Sequence, residues 1–589
     1  MRLFLLGLAL PLFAQAPRFT VRDAIQAEWK RQPPAFTETQ KAALPPADRA
    51  RLERALARIG APGAPALLPP ELDHPTPEAW EAKAQAARTP RERFDALFFL
   101  NRFKRPDALK ALDGLTPKDA ASWPADLHLE AQIATARING GTVSPALQAF
   151  LDALQKDGNV DPVRAQAARL RLVLAGKGKA LLPAIPATPG SVLAMMDALA
   201  SRPASERDPV VKRLALSDPP PLALIGLQQP IPGQSHLIEL CFTARLAALI
   251  PGGLAPRESE HAIELPLLLA ATGRPPFLAA ALDGLTHASQ SDLAFFFQQM
   301  PPSRFPLVLQ GGLLAPLTLT HAAQATTLRT ALLDSPNPIA RAAAIADLPA
   351  APADLDALTQ RCWGDGDFDA QQALIQSYAR WKLPVEAQKT QLRHWLTHPD
   401  WACRYEAYQA LKKLDPATPW PAAPKPTATD EAILKEATRL AERGKPVRLR
   451  ITFSGNRTVT LRLDPTVAPM NVANLVLLAR KHFFDGHLVP RVVPDFVVQM
   501  GSPCDTMDGG PGYTVRCEDS LHWYGPGSVG MALAGKDTGG SQFFITTNAT
   551  PHLTGRYTWM GRVESPGHDL KVLDGLELGA TIQRVTVLP

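Results

Sequence analysis

Residues 415–429 read DPATPWPAAPKPTAT, and no regular element can run through them. Proline lacks a backbone donor, fixes its own φ and pushes the preceding residue toward extended geometry, so clustered prolines break helices and cannot occupy a central strand. The stretch predicts a stiff, extended connector. Composition changes across it: 48 of the 59 prolines fall in the first 439 residues, whereas the last 150 hold 18 of the 38 glycines. At 589 residues the chain is too long for one hydrophobic core. The expected division is therefore a segment 1–16 that is removed, a helical region 17–414, a proline-rich linker with a short helix 415–440, and a glycine-rich domain 441–589.

The charge balance excludes some partners. With 62 basic and 56 acidic residues the net charge is +6, too dilute to call for a polyanion, so nucleic acid is not implied. No apolar run reaches the ~20 residues needed to span a bilayer, so an integral membrane protein is not expected. The five cysteines form no CxxC pair, and an odd number cannot all pair within one chain. His394 and His398 lie four apart in HWLTH, but Trp395 stands where a metalloprotease needs glutamate, and no metal is expected. Residues 530–538, GMALAGKDT, imitate a phosphate loop but put Asp537 where a hydroxyl should bind magnesium, and a strand-like SQFFITT follows. ATP binding is rejected.

Met1-Arg2, an apolar run Leu3–Phe13 and Ala14-Gln15-Ala16 have the form of a secretory signal, with cleavage after Ala14 or Ala16. Export to the periplasm or medium is the expectation. In an oxidising compartment Cys504 and Cys517 form a candidate disulfide, with two free buried thiols as the alternative.

Before the linker, alanine and leucine recur at helical spacing between Pro, Gly and Asp stops, as at Phe94, Leu97, Phe98 and Phe103. Three segments are alike: DSPNPIARAAAIADL from Asp334, DGDFDAQQALIQSYA from Asp365 and HPDWACRYEAYQALKKL from His398. Each opens on an Asp/Pro turn and a large apolar anchor, Ile339, Phe368 or Trp401, spaced 29 and 33 residues apart. DPVRAQAARLRLVLAG from Asp161 has the same form, and 191–320 show no clear period. This pattern resembles the HEAT-repeat α-solenoids, with a non-repetitive helical domain as the alternative.

After the linker the period becomes two. Val447, Leu449, Ile451 and Phe453 alternate, Ser454-Gly455-Asn456 turns, and Val459, Leu461 and Leu463 alternate again. A helix over 469–481, strands over 489–493, 496–500, 529–533 and 542–547, a helix over 569–573 and a strand over 582–588 complete the expectation: a closed, mainly-β barrel capped by two helices.

Four strings, VAPMNVANLVLLARKHFFDG, VPRVVPDFVVQMG, GGPGYTVRCE and GSVGMALAGKDTGGSQFFITT, occur in an order and spacing that resemble the cyclophilin peptidyl-prolyl isomerases over about 447–588. The resemblance implies catalysis by twisting an Xaa-Pro amide, with no cofactor and with proline-containing polypeptides as clients. It puts Arg491 at the family's essential arginine, and a guanidinium that stays charged can donate to the prolyl nitrogen as its lone pair localises. Phe496, Val497, Phe544 and Leu553 match the proline pocket, and Gln499 and Gln542 match residues that bond substrate backbone. Ala532 and Leu533 fall at substrate-contacting positions, Leu533 replacing an asparagine whose contact runs largely through backbone. His552 replaces a tryptophan associated with cyclosporin affinity, and Tyr557 a histidine that lines the pocket. The expectation is an exported isomerase whose solenoid presents clients or binds a protein partner; a non-catalytic binder of proline segments is the rival.

Overall fold

Ile339, Phe368 and Trp401 are buried, and each stands at or next to the start of a helix: Pro338–Asp347, Phe368–Arg380 and Trp401–Leu414. The computed structural model describes residues 18–100, 264–286, 288–493 and 496–589. The export signal, Phe103 and the segment from Asp161 lie outside them. Asn337 caps the first of these helices by accepting from Ala340 N at 3.0 Å, ahead of a proline at the first helical position, and Asp400 caps the third through Ala402 N at 2.7 Å.

Each of these helices packs against the one before it, respectively Ala322–Leu333, Leu355–Trp363 and Val385–Trp395, and the three also pack on one another in sequence. The result is a stack of three helical hairpins. Arg380 ties the second layer to the first by donating to Ile345 O at 2.7 Å, beside Trp381 Nε1 donating to Leu348 O at 3.0 Å. His394 and His398 both lie against Trp363, His394 stacking on its ring at 4.2 Å, while His398 Nδ1 accepts from Asp400 N at 3.0 Å. None of the described helices is long and apolar enough to cross a membrane.

The second domain is one antiparallel sheet of eight strands: β1 (Val447–Phe453), β2 (Arg457–Leu463), β3 (Arg491–Val493), β4 (Val497–Met500), β5 (Ser528–Met531), β6 (Phe543–Thr546), β7 (Trp559–Val563) and β8 (Ile582–Leu588). Their order is β3-β4-β6-β5-β7-β2-β1-β8, so the sheet is curled but open, unlike the closed barrel expected from the sequence. The ends approach through backbone contacts short of a ladder: Leu488 bridges Thr581, Val489 N donates to Ala580 O and Ile582 N to His487 O, both at 2.8 Å. Pro490 has no N–H to carry that pairing into β3.

β7 was not foreseen, because Gly561 interrupts its pattern. A side chain there would put its Cβ 2.3 Å from Arg462 O on β2, and its φ of 152° favours glycine. The closing helix spans Pro566–Asp574, longer than its apolar period suggests. Cys504 and Cys517 are free thiols; Cys517 Sγ instead accepts from Asp537 N at 3.1 Å.

Helix Pro469–Arg480 fills one mouth of the curl with Met470, Val472, Leu475 and Val476. The helix after the linker, Ala428–Arg443, packs on it and is 16 residues long rather than short. Ile25 and Trp29 of the first described helix, Val21–Lys30, complete the same core. The linker itself has no helix or strand over 415–427, and its Trp420 lies among Trp401, Tyr405 and Tyr408 while donating to Arg31 O at 2.7 Å.

The two regions are joined most tightly at Arg31 and Asp537, both wholly buried and both in left-handed conformation, φ 53° and 64°. The Asp537 carboxylate accepts Arg31 Nε at 2.9 Å, Arg31 Nη2, Trp401 Nε1 at 2.8 Å and Cys517 N at 2.8 Å. Although burial opposes charge, Arg31 and Lys536 hold this carboxyl down to about 2. Further contacts surround the pair. Thr514 Oγ1 donates to Asp400 at 2.7 Å, Trp523 Nε1 to Asp95 at 2.9 Å and Arg556 to Leu72 O at 2.6 Å.

Candidate active site

The curl presents one row of side chains. Arg491 on β3 pairs with Gln499 on β4, Gln499 with Phe544 on β6, and Phe544 with Gly530 on β5, so these positions stand abreast on one face. Gly530 is small of necessity: a Cβ there would lie 2.4 Å from Phe544 Cζ and 2.6 Å from the Tyr524 hydroxyl. The vacated space lets the Phe544 ring settle between Tyr524, at 5.8 Å, and Tyr557, edge-on at 5.5 Å. Val497, Tyr524, Phe544 and Leu553 form a small buried cluster, with Phe496, Ala532 and Tyr557 packed against it. Val497, Phe544 and Leu553 from that cluster form the apolar floor of a cleft of about 260 Å³, with Tyr524 behind them.

A chain of side-chain amides crosses the cleft. Arg491 Nη1 donates to Gln499 Oε1 at 3.3 Å, Gln499 Nε2 to Gln542 Oε1 at 3.1 Å, and Gln542 Nε2 to Gly509 O at 2.8 Å and Met507 O at 3.1 Å. Both glutamines are thereby oriented, and the arginine head is steadied 5.8 Å above the Phe496 ring. Arg491 has no carboxylate partner among the described residues, and it lines the cleft. Partial burial lowers its pKa, but a guanidinium remains charged at any physiological pH. The site thus places a fixed cation beside an aromatic floor sized for a small ring, with amides alongside to bond an extended backbone.

All the residues expected at the site line this cleft except His552. That ring is stacked between Phe496, at 5.6 Å, and Phe98 of helix Pro90–Leu100, at 5.5 Å. It buttresses the pocket wall from behind and ties it to the helical region, because a ring sandwiched on both faces has no face left for substrate. Tyr524 was missed; its only sequence signal was an aromatic before Gly525-Pro526-Gly527. Also missed were Asp367, Phe368 and Asp369, which reach the cleft from the helical region. Asp367 precedes helix Phe368–Arg380 without capping it and instead accepts from Gly512 N at 3.2 Å, while Gln372 donates to Ala534 O at 2.8 Å.

A profile described as "Cyclophilin type peptidyl-prolyl cis-trans isomerase/CLD" matches residues 448–587. The chain is 49% identical over 113 residues to "Peptidyl-prolyl cis-trans isomerase B" of Bacillus subtilis (strain 168), covering 19% of this chain and 78% of that protein. It is 41% identical over 131 residues to a "Peptidyl-prolyl cis-trans isomerase" of Synechococcus elongatus, covering 22% and 90%. A "Peptidyl-prolyl cis-trans isomerase" of Helicobacter pylori (strain J99 / ATCC 700824) is 41% identical over 140 residues, covering 23% and 85%. With its strings, its sheet and its arginine-over-phenylalanine cleft in agreement, the chain belongs to the cyclophilin-type peptidyl-prolyl cis-trans isomerases.

Proposed function

We propose that this isomerase acts on Xaa-Pro bonds of exported polypeptides, and that its helical region, read as HEAT-like repeats, receives or orients those clients. The observation that carries the catalytic part is the row Arg491, Gln499 and Phe544 across three strands. The uncatalysed rotation is slow because the prolyl nitrogen shares its lone pair with the carbonyl, giving a barrier of about 18–20 kcal/mol. Phe544, Val497 and Leu553 grip the proline ring, which holds the bond to be turned against the cation. As the amide twists, the nitrogen becomes a hydrogen-bond acceptor and an Arg491 N–H donates to it, an interaction absent from either planar form. Binding energy is therefore placed in the twisted state, which is what lowers the barrier. Gln499 keeps the guanidinium aimed, and Gln542 holds the loop that borders the substrate backbone.

Exchange NMR on a short Xaa-Pro peptide tests this with wild type and Arg491→Ala. The variant is expected to lose roughly 10²–10³ of the rate, the usual cost of removing one preorganised donor. Equal rates in the two proteins would leave only a binder of proline segments. Export rests on the form of residues 1–16, and a reporter carrying residues 1–30 that stays in the cytoplasm overturns it. Crosslinking of an exported client to the full-length chain, mapped by peptide, tests the role given to the helices; crosslinks confined to residues 447–588 overturn it.

A further inference from the structure

We propose that the start of helix Phe368–Arg380 is a specificity subsite of the isomerase cleft, selecting substrates with a lysine or arginine close to the proline. The inference rests on the isomerase reading and adds a subsite contributed by the other region of the chain. Groups follow one another across the cleft in the order Arg491, Gln499, Gln542, then the Met507–Pro511 loop, then Asp367, Phe368 and Asp369. An extended peptide whose proline sits over Phe544 passes Gln542 and meets this wall.

The wall is acidic and uncompensated. Asp369 and Asp508 line it, and neither forms an ion pair among the described residues; Asp367 spends its carboxylate on the Gly512 amide. Phe368, packed in the core of the helical region, borders the cleft between the two helix aspartates. Ser541, wholly buried and lining the same cleft, has a hydroxyl that no described group satisfies. Desolvation and the neighbouring carboxylates Asp508 and Asp367 raise the Asp369 carboxyl to about 6, and a cationic side chain relieves that repulsion.

The test uses the full chain and a set of short peptides with one Xaa-Pro bond, in which lysine, alanine or glutamate occupies in turn each of the three positions before and after the proline. At pH 7.5 one position should favour lysine over glutamate by about tenfold or more in kcat/KM, since like charges are disfavoured strongly at close range. The ratio should collapse toward one in Asp369→Asn/Asp508→Asn and invert in Asp369→Lys. Ratios between peptides cancel any general loss of activity or folding in the variants. If no position distinguishes lysine from glutamate while the alanine peptides are still turned over, the subsite is overturned and the isomerase stands. A lysine preference undiminished in the double variant also overturns it, and a chain that isomerises none of the peptides overturns both.

Discussion

Replacing Asp537 with alanine should be among the most damaging single changes outside the cleft. The carboxylate has four donors, and its removal strands three groups in a place water does not reach: the Arg31 charge, the Trp401 indole N–H and the Cys517 amide. Removing one partner of a buried ion pair costs about 3–5 kcal/mol. At roughly 2–4 °C per kcal/mol for a unit of 150–250 residues, Tm should fall by about 6–20 °C. A second substitution reverses part of the loss. Arg31→Met/Asp537→Ala removes the stranded cation and leaves only neutral N–H groups unpaired, so the double variant should melt above Asp537→Ala alone. Scanning calorimetry on the four proteins of the cycle reads both effects as one coupling energy. A double variant that melts lower than Asp537→Ala, or a single variant within about 1 kcal/mol of wild type, refutes the reasoning, since either means that the site admits water or relaxes around the charge. The pH dependence has a fixed sign. Asp537 is held below an unfolded carboxylate, so its contribution is complete above pH ~4 and is lost as pH falls from there toward about 2; Asp537→Ala should flatten the Tm profile in that window.

Gly530→Ala should push Phe544 out of its seat; we expect at least a tenfold loss of kcat/KM, with the thermal transition retained, by exchange NMR and calorimetry. Gln499→Leu removes the acceptor that aims Arg491 and should lower kcat about tenfold, with a smaller change in KM; an unchanged kcat would show that Phe496 alone positions the guanidinium. Burial pushes the Cys517 thiol far up and the Cys504 thiol up to about 11, so brief alkylation of the native chain at pH 7.5 should leave both unmodified, and after denaturation peptide mapping should find both alkylated as free thiols, along with Cys362 and Cys403.

β1 and β2 run where alternation put them, and β8 and the helix after Ala468 fall within a residue or so of the spans expected from the chain. β7 was hidden because the close approach of β2 demands glycine at 561, which reads as a break. The cleft was legible through four strings, since arginine, glutamine and phenylalanine at fixed offsets on neighbouring strands form a local pattern. Its second wall was not. Asp367 and Phe368 have a complete explanation as a turn and an anchor of a helical hairpin, and nothing local betrays that the same two residues border a cleft more than 120 positions away. In the sequence Asp537 stands out only by spoiling a phosphate loop, because a buried partnership with Arg31 leaves no periodicity in either neighbourhood. His552 was misjudged for the same reason: its stacking partner Phe98 lies outside the domain that the strings identify.

The Arg31–Asp537 pair spans 506 positions of sequence. At roughly 5–20 residues per second, a ribosome needs about half a minute to two minutes to supply the carboxylate after the guanidinium has been made. Until then Arg31, which caps the end of helix Val21–Lys30, lacks its carboxylate and Trp29 lacks the second domain's core, so neither has the surroundings in which it is buried in the finished fold. A product truncated before residue 537 keeps the Arg31 guanidinium but lacks the carboxylate it is buried with, so the fold of the amino-terminal region is complete only when the carboxyl-terminal domain is present.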